Sequence, residues 1–177
     1  CEGLRRGVVV NLEKTVKAIS EAVTAAERMG DVEVHEAYVG VAGDHIKSLN
    51  SRGVIAVSRA DHTITEKDID RVKDAAKAIR LPDERKILHV IPQEYIVDNQ
   101  EGIKNPLDIS GVRLEAEVHI VTGSETSMQN VVKCVQRAGI DVLDLVLEPL
   151  ASSYSVLSHD EKELGCALVD IGGGTTD

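Results

Sequence analysis

Aromatic side chains are nearly missing: the 177 residues contain no Phe and no Trp, and Tyr38, Tyr95 and Tyr154 make up the 2% that is aromatic. A platform for stacking successive bases is therefore disfavoured, and Val, Ile, Leu and Ala must fill any core. Basic charge is also in deficit, with 20 Lys and Arg against 30 Asp and Glu, a net charge of -10. That balance argues against sequence-independent binding to nucleic acid or to an anionic membrane, so a phosphate ligand has to be held locally. Cysteine is sparse and odd in number (Cys1, Cys134, Cys166), and no C-x-x-C pairs these residues. Neither a disulfide framework nor a zinc knuckle is supported, and a reducing cytoplasm is the default. No apolar run approaches the roughly 18 to 20 residues that span a bilayer, and no secretory h-region is present.

What is present is material for a core, since 42% of residues are hydrophobic within a shell that is 28% charged. From Asn11 to Met29, Leu12, Val16, Ile19, Val23 and Ala26 recur every three or four residues, which predicts an amphipathic helix capped by Asn11 and stopped at Gly30. A Val-rich strand over Val32 to Val41 follows. The rhythm changes near Ser48. Gly53 to Ser58 reads as a strand, and Thr65-Glu66-Lys67-Asp68 opens a helix that carries Ile69, Val72, Ala76 and Ile79 and ends by Pro82. Lys86 to Val97 reads as a strand in which Pro92 demands a bulge or an edge, because proline cannot donate to a ladder. After a turn-rich loop, Asp98 to Gly111, the residues Val112, Leu114, Ala116, Val118 and Ile120 alternate with Arg113, Glu115, Glu117 and His119. The segment's order is thus strand, helix, strand, strand. The charge-dense stretch Asp61 to Asp74 reads as a solvated helix face.

Beyond Gly123 a helix from about Thr126 to Ala138 is expected, then a buried strand Val142 to Leu147, a short helix with Pro149 at its first position, and a second buried strand, Cys166 to Ile171, in which Cys166 is inert packing. Apolar strands alternating with helices predict a parallel sheet covered on both faces. The expected organisation is an α/β lobe formed by residues 1–47 and 122–177, with an inserted α+β subdomain at 48–121. The chain starts at Cys1 rather than Met and stops just after a glycine-rich stretch, so it reads as a piece of a longer protein.

The strongest chemical signal is Asp170-Ile171-Gly172-Gly173-Gly174-Thr175-Thr176-Asp177 behind the apolar run Ala167-Leu168-Val169. Three glycines free the backbone for positive φ and close approach, so that amides can converge on an oligophosphate while Thr175 and Thr176 add hydroxyl donors. Asp170 suits a hydrated Mg²⁺, which keeps most of its waters. Glycine is equally the default hairpin residue, so the glycines alone leave both readings open. The flanking Asp170, Thr175 and Thr176 favour phosphate. A second signal is Glu148-Pro149-Leu150-Ala151-Ser152-Ser153, which places a carboxylate between a strand and a helix. There Glu148 could orient a water that attacks a γ-phosphate, or could simply offset the helix macrodipole. Parallel sheets put ligands at the carboxyl ends of their strands, which predicts that Glu148 and Asp170 open onto one crevice. His35, His45, His62, His89, His119 and His159 show no metal-ligand spacing and read as solvated or hydrogen-bonded histidines.

The two motifs, in this order, resemble the second phosphate loop and the preceding connecting segment of the actin-like (ribonuclease-H-like) ATPase superfamily. Gly3-Leu4-Arg5-Arg6-Gly7-Val8-Val9-Val10-Asn11, His89-Val90-Ile91-Pro92-Gln93-Glu94-Tyr95-Ile96-Val97-Asp98, Asn105-Pro106-Leu107-Asp108 and Glu148-Pro149-Leu150-Ala151-Ser152 narrow the resemblance to the FtsA family of bacterial cell division, across essentially the whole chain. The resemblance implies an ATP-binding actin homologue that polymerises, links the FtsZ ring to the inner membrane and recruits later division proteins. It would lie in the bacterial cytoplasm, peripheral on the inner membrane at the division site, with no nucleic-acid partner. By motif position, Gly172, Gly173, Gly174, Thr175 and Thr176 would contact ATP phosphates, Asp170 the Mg²⁺, and Glu148 the hydrolytic water. The insertion would serve filament contacts and recruitment.

The family's first phosphate loop, second lobe with the FtsZ site, and C-terminal amphipathic membrane helix are not among these residues. One phosphate loop offers a few charge-assisted hydrogen bonds of about 1.5–3 kcal/mol each, whereas micromolar affinity needs about 8 kcal/mol after ordering costs. This stretch alone is thus expected neither to hydrolyse ATP nor to bind it tightly, and the longer protein is expected to be a slow ATPase at most. The alternatives are a sugar kinase or chaperone-type ATPase of the same superfamily, an actin-like protein of type IV pilus assembly, and an insertion that is purely a binding module beside a glycine turn that holds nothing.

Overall fold

The hydrophobic period switches repeatedly between about 3.6 and 2 along the chain, and the elements follow these switches. A computed structural model describes all 177 residues. In chain order the elements are β1 (Leu4–Arg5), β2 (Val8–Val9), α1 (Leu12–Gly30), β3 (Glu36–Val41), β4 (Lys47–Ala56), α2 (Glu66–Lys77), β5 (Arg85–Val97), β6 (Gln100–Ile103), β7 (Arg113–Ser124), α3 (Glu125–Arg137), β8 (Asp141–Leu147), α4 (Glu148–Val156) and α5 (His159–Leu164). They fall into two compact units, residues 1–46 with 123–177 and residues 47–122. No helix is long and apolar enough to cross a membrane.

The second unit is one sheet with strand order β4-β7-β5-β6, backed by α2. β4 and β7 pair antiparallel from Lys47↔Thr122 to Ala56↔Arg113, so the alternation of β7 is matched residue for residue by β4. Leu114, Ala116, Val118 and Ile120 are at most 1% exposed and pack with Ile69, Val72 and Ala76 of α2. Val112, expected on that same face, is 54% exposed because it precedes the ladder. Gly53 is where helix and sheet meet most closely: a Cβ there would run into the backbone of Val72 and Ala76. The ladder between β5 and β6 reaches only Tyr95↔Ile103 and Val97↔Gln100, so at Pro92 the strand has an open side, as a proline requires. β6 itself lies in the stretch read as a loop, and Asp98 and Asn99, both at positive φ, make the turn that folds it back.

One acidic residue departs from the alternation. Glu115 is 1% exposed although it belongs to the polar set of β7, because Arg52 Nε at its carboxylate and Arg113 at 2.9 Å cover and neutralise it. Asp68, within the stretch read as solvated, is likewise buried at 5% exposure and holds the start of α2.

The first unit packs α1 and α3 beside a parallel pair, β3 with β8, and a hairpin, β1 with β2. Asn11 caps α1 by accepting from Lys14 N at 2.9 Å. The helix closes on Asp31 in the left-handed conformation, one residue past the expected glycine stop. Met128, Cys134 and Val135 of α3 are buried. The segment Cys166 to Ile171, expected as a buried strand, joins no ladder: Val169 is 64% and Ile171 78% exposed, and Cys166 is exposed rather than packed. An extended apolar run is buried only when a neighbouring strand takes its backbone bonds, and no strand of this chain does so. Pro149 occupies the second position of α4, after Glu148. β8 is half-buried, with Leu143 50% exposed, and α5, which has no buried residue, was not anticipated.

Candidate functional site

Two local devices place the candidate residues. In β3 and β8 the parallel register brings Val41 beside Leu147, so both strands deliver their carboxyl ends to the same level and Glu148 emerges there as the first residue of α4. The second device is a tight hairpin at the end of the chain. Asp170 and Asp177 exchange backbone bonds of 2.8 and 2.9 Å, Gly172 N donates to Thr175 O at 3.0 Å, and Gly172 to Thr175 form the bend.

These devices meet at a cavity of about 500 Å³ within the first unit. Its lining includes Glu148, Gly172, Gly173, Gly174 and Thr175, whereas the expected meeting of Glu148 with Asp170 on one crevice is not seen. Asp170 and Thr176 are not part of the lining. Asp170 instead accepts a hydrogen bond from Ser152 Oγ of α4 at 2.8 Å, so the carboxylate is fixed to the helix that Glu148 opens. One carboxylate oxygen is used in that bond, and Asp170 Oδ1 remains for a water of a hydrated cation.

The glycines act differently from the expectation. None of Gly172, Gly173 and Gly174 lies in the left-handed region, so backbone strain does not demand them. A Cβ on Gly173 or Gly174 would meet no atom of the protein. Neither conformation nor internal packing requires glycine at these two positions; their bareness keeps the bend open to close approach from outside. The amides of Gly173 and Gly174 donate to no backbone carbonyl, which suits an anion acceptor.

Other lining residues escaped the sequence reading. Arg6 and Gly7 form the β1–β2 turn, and Gly7 (φ +75) is required because a Cβ would run into the carbonyl of Ala42. Arg6 brings a cation to the rim, paired with Asp44 at 3.6 Å on the surface. Gly40 lies beside Glu148, its would-be Cβ 3.8 Å from the glutamate side chain. The only signal for these positions is their glycines. Cys134 of α3 lines the floor, and burial pushes its thiol above the usual range, so it stays protonated and packs as an apolar group.

With this geometry in place, comparison with known proteins is informative. Residues 43–122 match the family described as the SHS2 domain inserted in FTSA. Along 99% of its length the chain is similar to the cell division protein FtsA of Pseudomonas aeruginosa (54% identity), Escherichia coli K12 (46%) and Bacillus subtilis 168 (45%). It spans 42%, 41% and 40% of those relatives, about two fifths of their length. Among solved structures, a chain of a PilM-PilN type IV pilus biogenesis complex superposes over 86% of this chain and 39% of its own with a TM-score of 0.56, at 14% identity, a likeness of fold. The expected α/β class with an inserted small α+β subdomain is thereby met.

Proposed function

We infer, from a chain that carries the SHS2 domain of FtsA and is FtsA-like from end to end, that it acts in bacterial cell division as part of an ATP-binding, actin-like scaffold. The observation that carries the reading is the shared cavity: Glu148 and the bend Gly172 to Thr175 face one space at the carboxyl ends of two parallel strands. In this reading the amides of Gly173 and Gly174 and the hydroxyls of Thr175 and Thr176 hold the phosphates of ATP. Asp170, steadied by Ser152, holds the waters of Mg²⁺, and Glu148 orients the attacking water. Bound Mg²⁺ would supply neutralisation of the phosphate charge. The remaining roles belong to the longer protein: self-association into filaments, linkage of FtsZ to the inner membrane through parts outside these residues, and docking of later division proteins on the inserted subdomain.

Calorimetry with ATP and Mg²⁺ tests this. A protein of the relatives' full length should bind with micromolar affinity, and Gly173→Val should weaken it at least about tenfold, a loss of about 1.4 kcal/mol, by filling space that no protein atom uses. Glu148→Gln should slow turnover by a similar factor and leave affinity unchanged. The 177-residue chain alone should bind more weakly than about 1 mM. Unchanged affinity in the Gly173→Val protein would overturn the assignment of the bend.

A further inference from the structure

Among the side chains lining the cavity, Glu148 is the only acid and Arg6 the only base. The bend Gly172 to Thr175 supplies amides and a hydroxyl but no full positive charge. A triphosphate stays net negative after Mg²⁺ has bound, and Glu148 adds charge of the same sign, so a site that holds both calls for a cation. Arg6 meets that need in its placement and in its freedom. Arg6 and Gly7 both have positive φ; a Cβ on Gly7 would run into the carbonyl of Ala42, and one on Gly43 into the carbonyl of Arg6. The turn is thereby locked to the carboxyl end of β3, the strand whose Gly40 lies against Glu148. The guanidinium itself is loosely held. Its ion-pair partner is Asp44 at 3.6 Å, with the two side chains 72% and 77% exposed, and a surface pair of this kind gives way to a stronger anion.

We propose that Arg6 exchanges Asp44 for the terminal phosphate of ATP, and so sets the preference of the site for ATP over ADP. The inference rests on the nucleotide reading above and adds a specificity-determining residue to it. The choice of phosphate follows from position: the turn shares the end of β3 with Glu148, the residue that faces the attacking water, so Arg6 serves the group that this water attacks and that ADP lacks. The amides of the bend are left for the inner phosphates.

Calorimetry with Mg²⁺ and either ATP or ADP, on a protein of the relatives' full length, tests it. Arg6→Gln should weaken ATP binding by about 10- to 100-fold, the loss of one charge-assisted hydrogen bond, and ADP binding by less than about threefold. Asp44→Asn, which releases the guanidinium, should leave ATP affinity equal or higher. Both side chains are exposed, so the melting temperatures of the two variants should match that of the unaltered protein. Equal losses for ATP and ADP in Arg6→Gln would overturn the proposal. So would an Asp44→Asn protein that loses ATP affinity to the same extent, because the shape of the hairpin would then be the cause. Unchanged ATP affinity in Arg6→Gln, with the unaltered protein binding ATP, would remove Arg6 from the site and leave the nucleotide reading standing. An unaltered protein that binds neither nucleotide would sink that reading, and this inference with it.

Discussion

The two units answer the same requirement, burying apolar surface, to different degrees. Residues 47–122 close their own core: a cluster including Ile64, Val72, Leu114, Ala116 and Ile120, each 0% exposed, is sealed between one sheet and one helix. Residues 1–46 and 123–177 leave Tyr154, Leu164, Val169 and Ile171 between 76% and 88% or, for Val169, 64% exposed, and neither α4 nor α5 buries a residue. A self-contained core suits a subdomain inserted into another unit, whereas the first unit leaves these apolar side chains open to solvent.

The sharpest way to break this contrast is to delete the same side chain in both units. Leu114→Ala should cost about 2–5 kcal/mol in urea denaturation followed by far-UV circular dichroism, because a fully buried leucine leaves a cavity. Leu164→Ala, at a position 88% exposed, should stay within about 0.5 kcal/mol. Equal losses would show that the first unit is as closed as the second. Glycines give a smaller version of the test. Gly53→Ala forces a methyl into the backbone of α2 and should cost about 1–3 kcal/mol, while Gly173→Ala meets nothing and should leave stability unchanged. A costly Gly173→Ala would mean that the bend is packed rather than open.

Legibility from sequence follows the same division. In the second unit, local pattern and tertiary outcome agree: the alternation of Leu114 to Ile120 faces a helix whose own stripe, Ile69, Val72 and Ala76, matches it. Of the residues misread there, Glu115 and Asp68 are acids buried by partners; Arg52 is 63 positions away from Glu115 in sequence, beyond any local rhythm. In the first unit the local pattern of Cys166 to Ile171 describes a buried strand correctly in composition, but burial needs a neighbour that the sequence of the segment does not contain. The rim was partly readable because Glu148 and the triple glycine carry their chemistry in contiguous motifs. Arg6, Gly7 and Gly40 were not, because only packing of the hairpin and β3 brings them to the same cavity.

Two capping boxes give the finest form of the comparison. In α2 the carboxylate of Asp68 accepts from Thr65 Oγ1 at 2.7 Å, from Thr65 N at 3.1 Å and from Arg71 at 2.9 Å. In α5 Glu161 accepts from Ser158 N and Oγ, each at 2.8 Å. The Thr65 hydroxyl, followed by its amide and Arg71, holds Asp68 below the usual carboxylate range in spite of burial, and the Ser158 amide and hydroxyl do the same for Glu161. Both are depressed values, so each contribution is complete above the unfolded pKa, about 3.9 for Asp, and is lost as pH falls through the lower folded value. The consequence differs with the unit. Asp68 is 5% exposed and starts a helix that closes a core, so acidification below about pH 4 should lower the urea midpoint of the second unit, and Asp68→Ala should remove about 1 kcal/mol and flatten that part of the pH profile. Glu161 is exposed on a six-residue helix with nothing buried, which opens locally at little cost. Its protonation should leave the midpoint of either unit in place, and an acid sensitivity of the first unit's midpoint that Glu161→Gln abolishes would show that α5 is held far more firmly than its exposed surface implies.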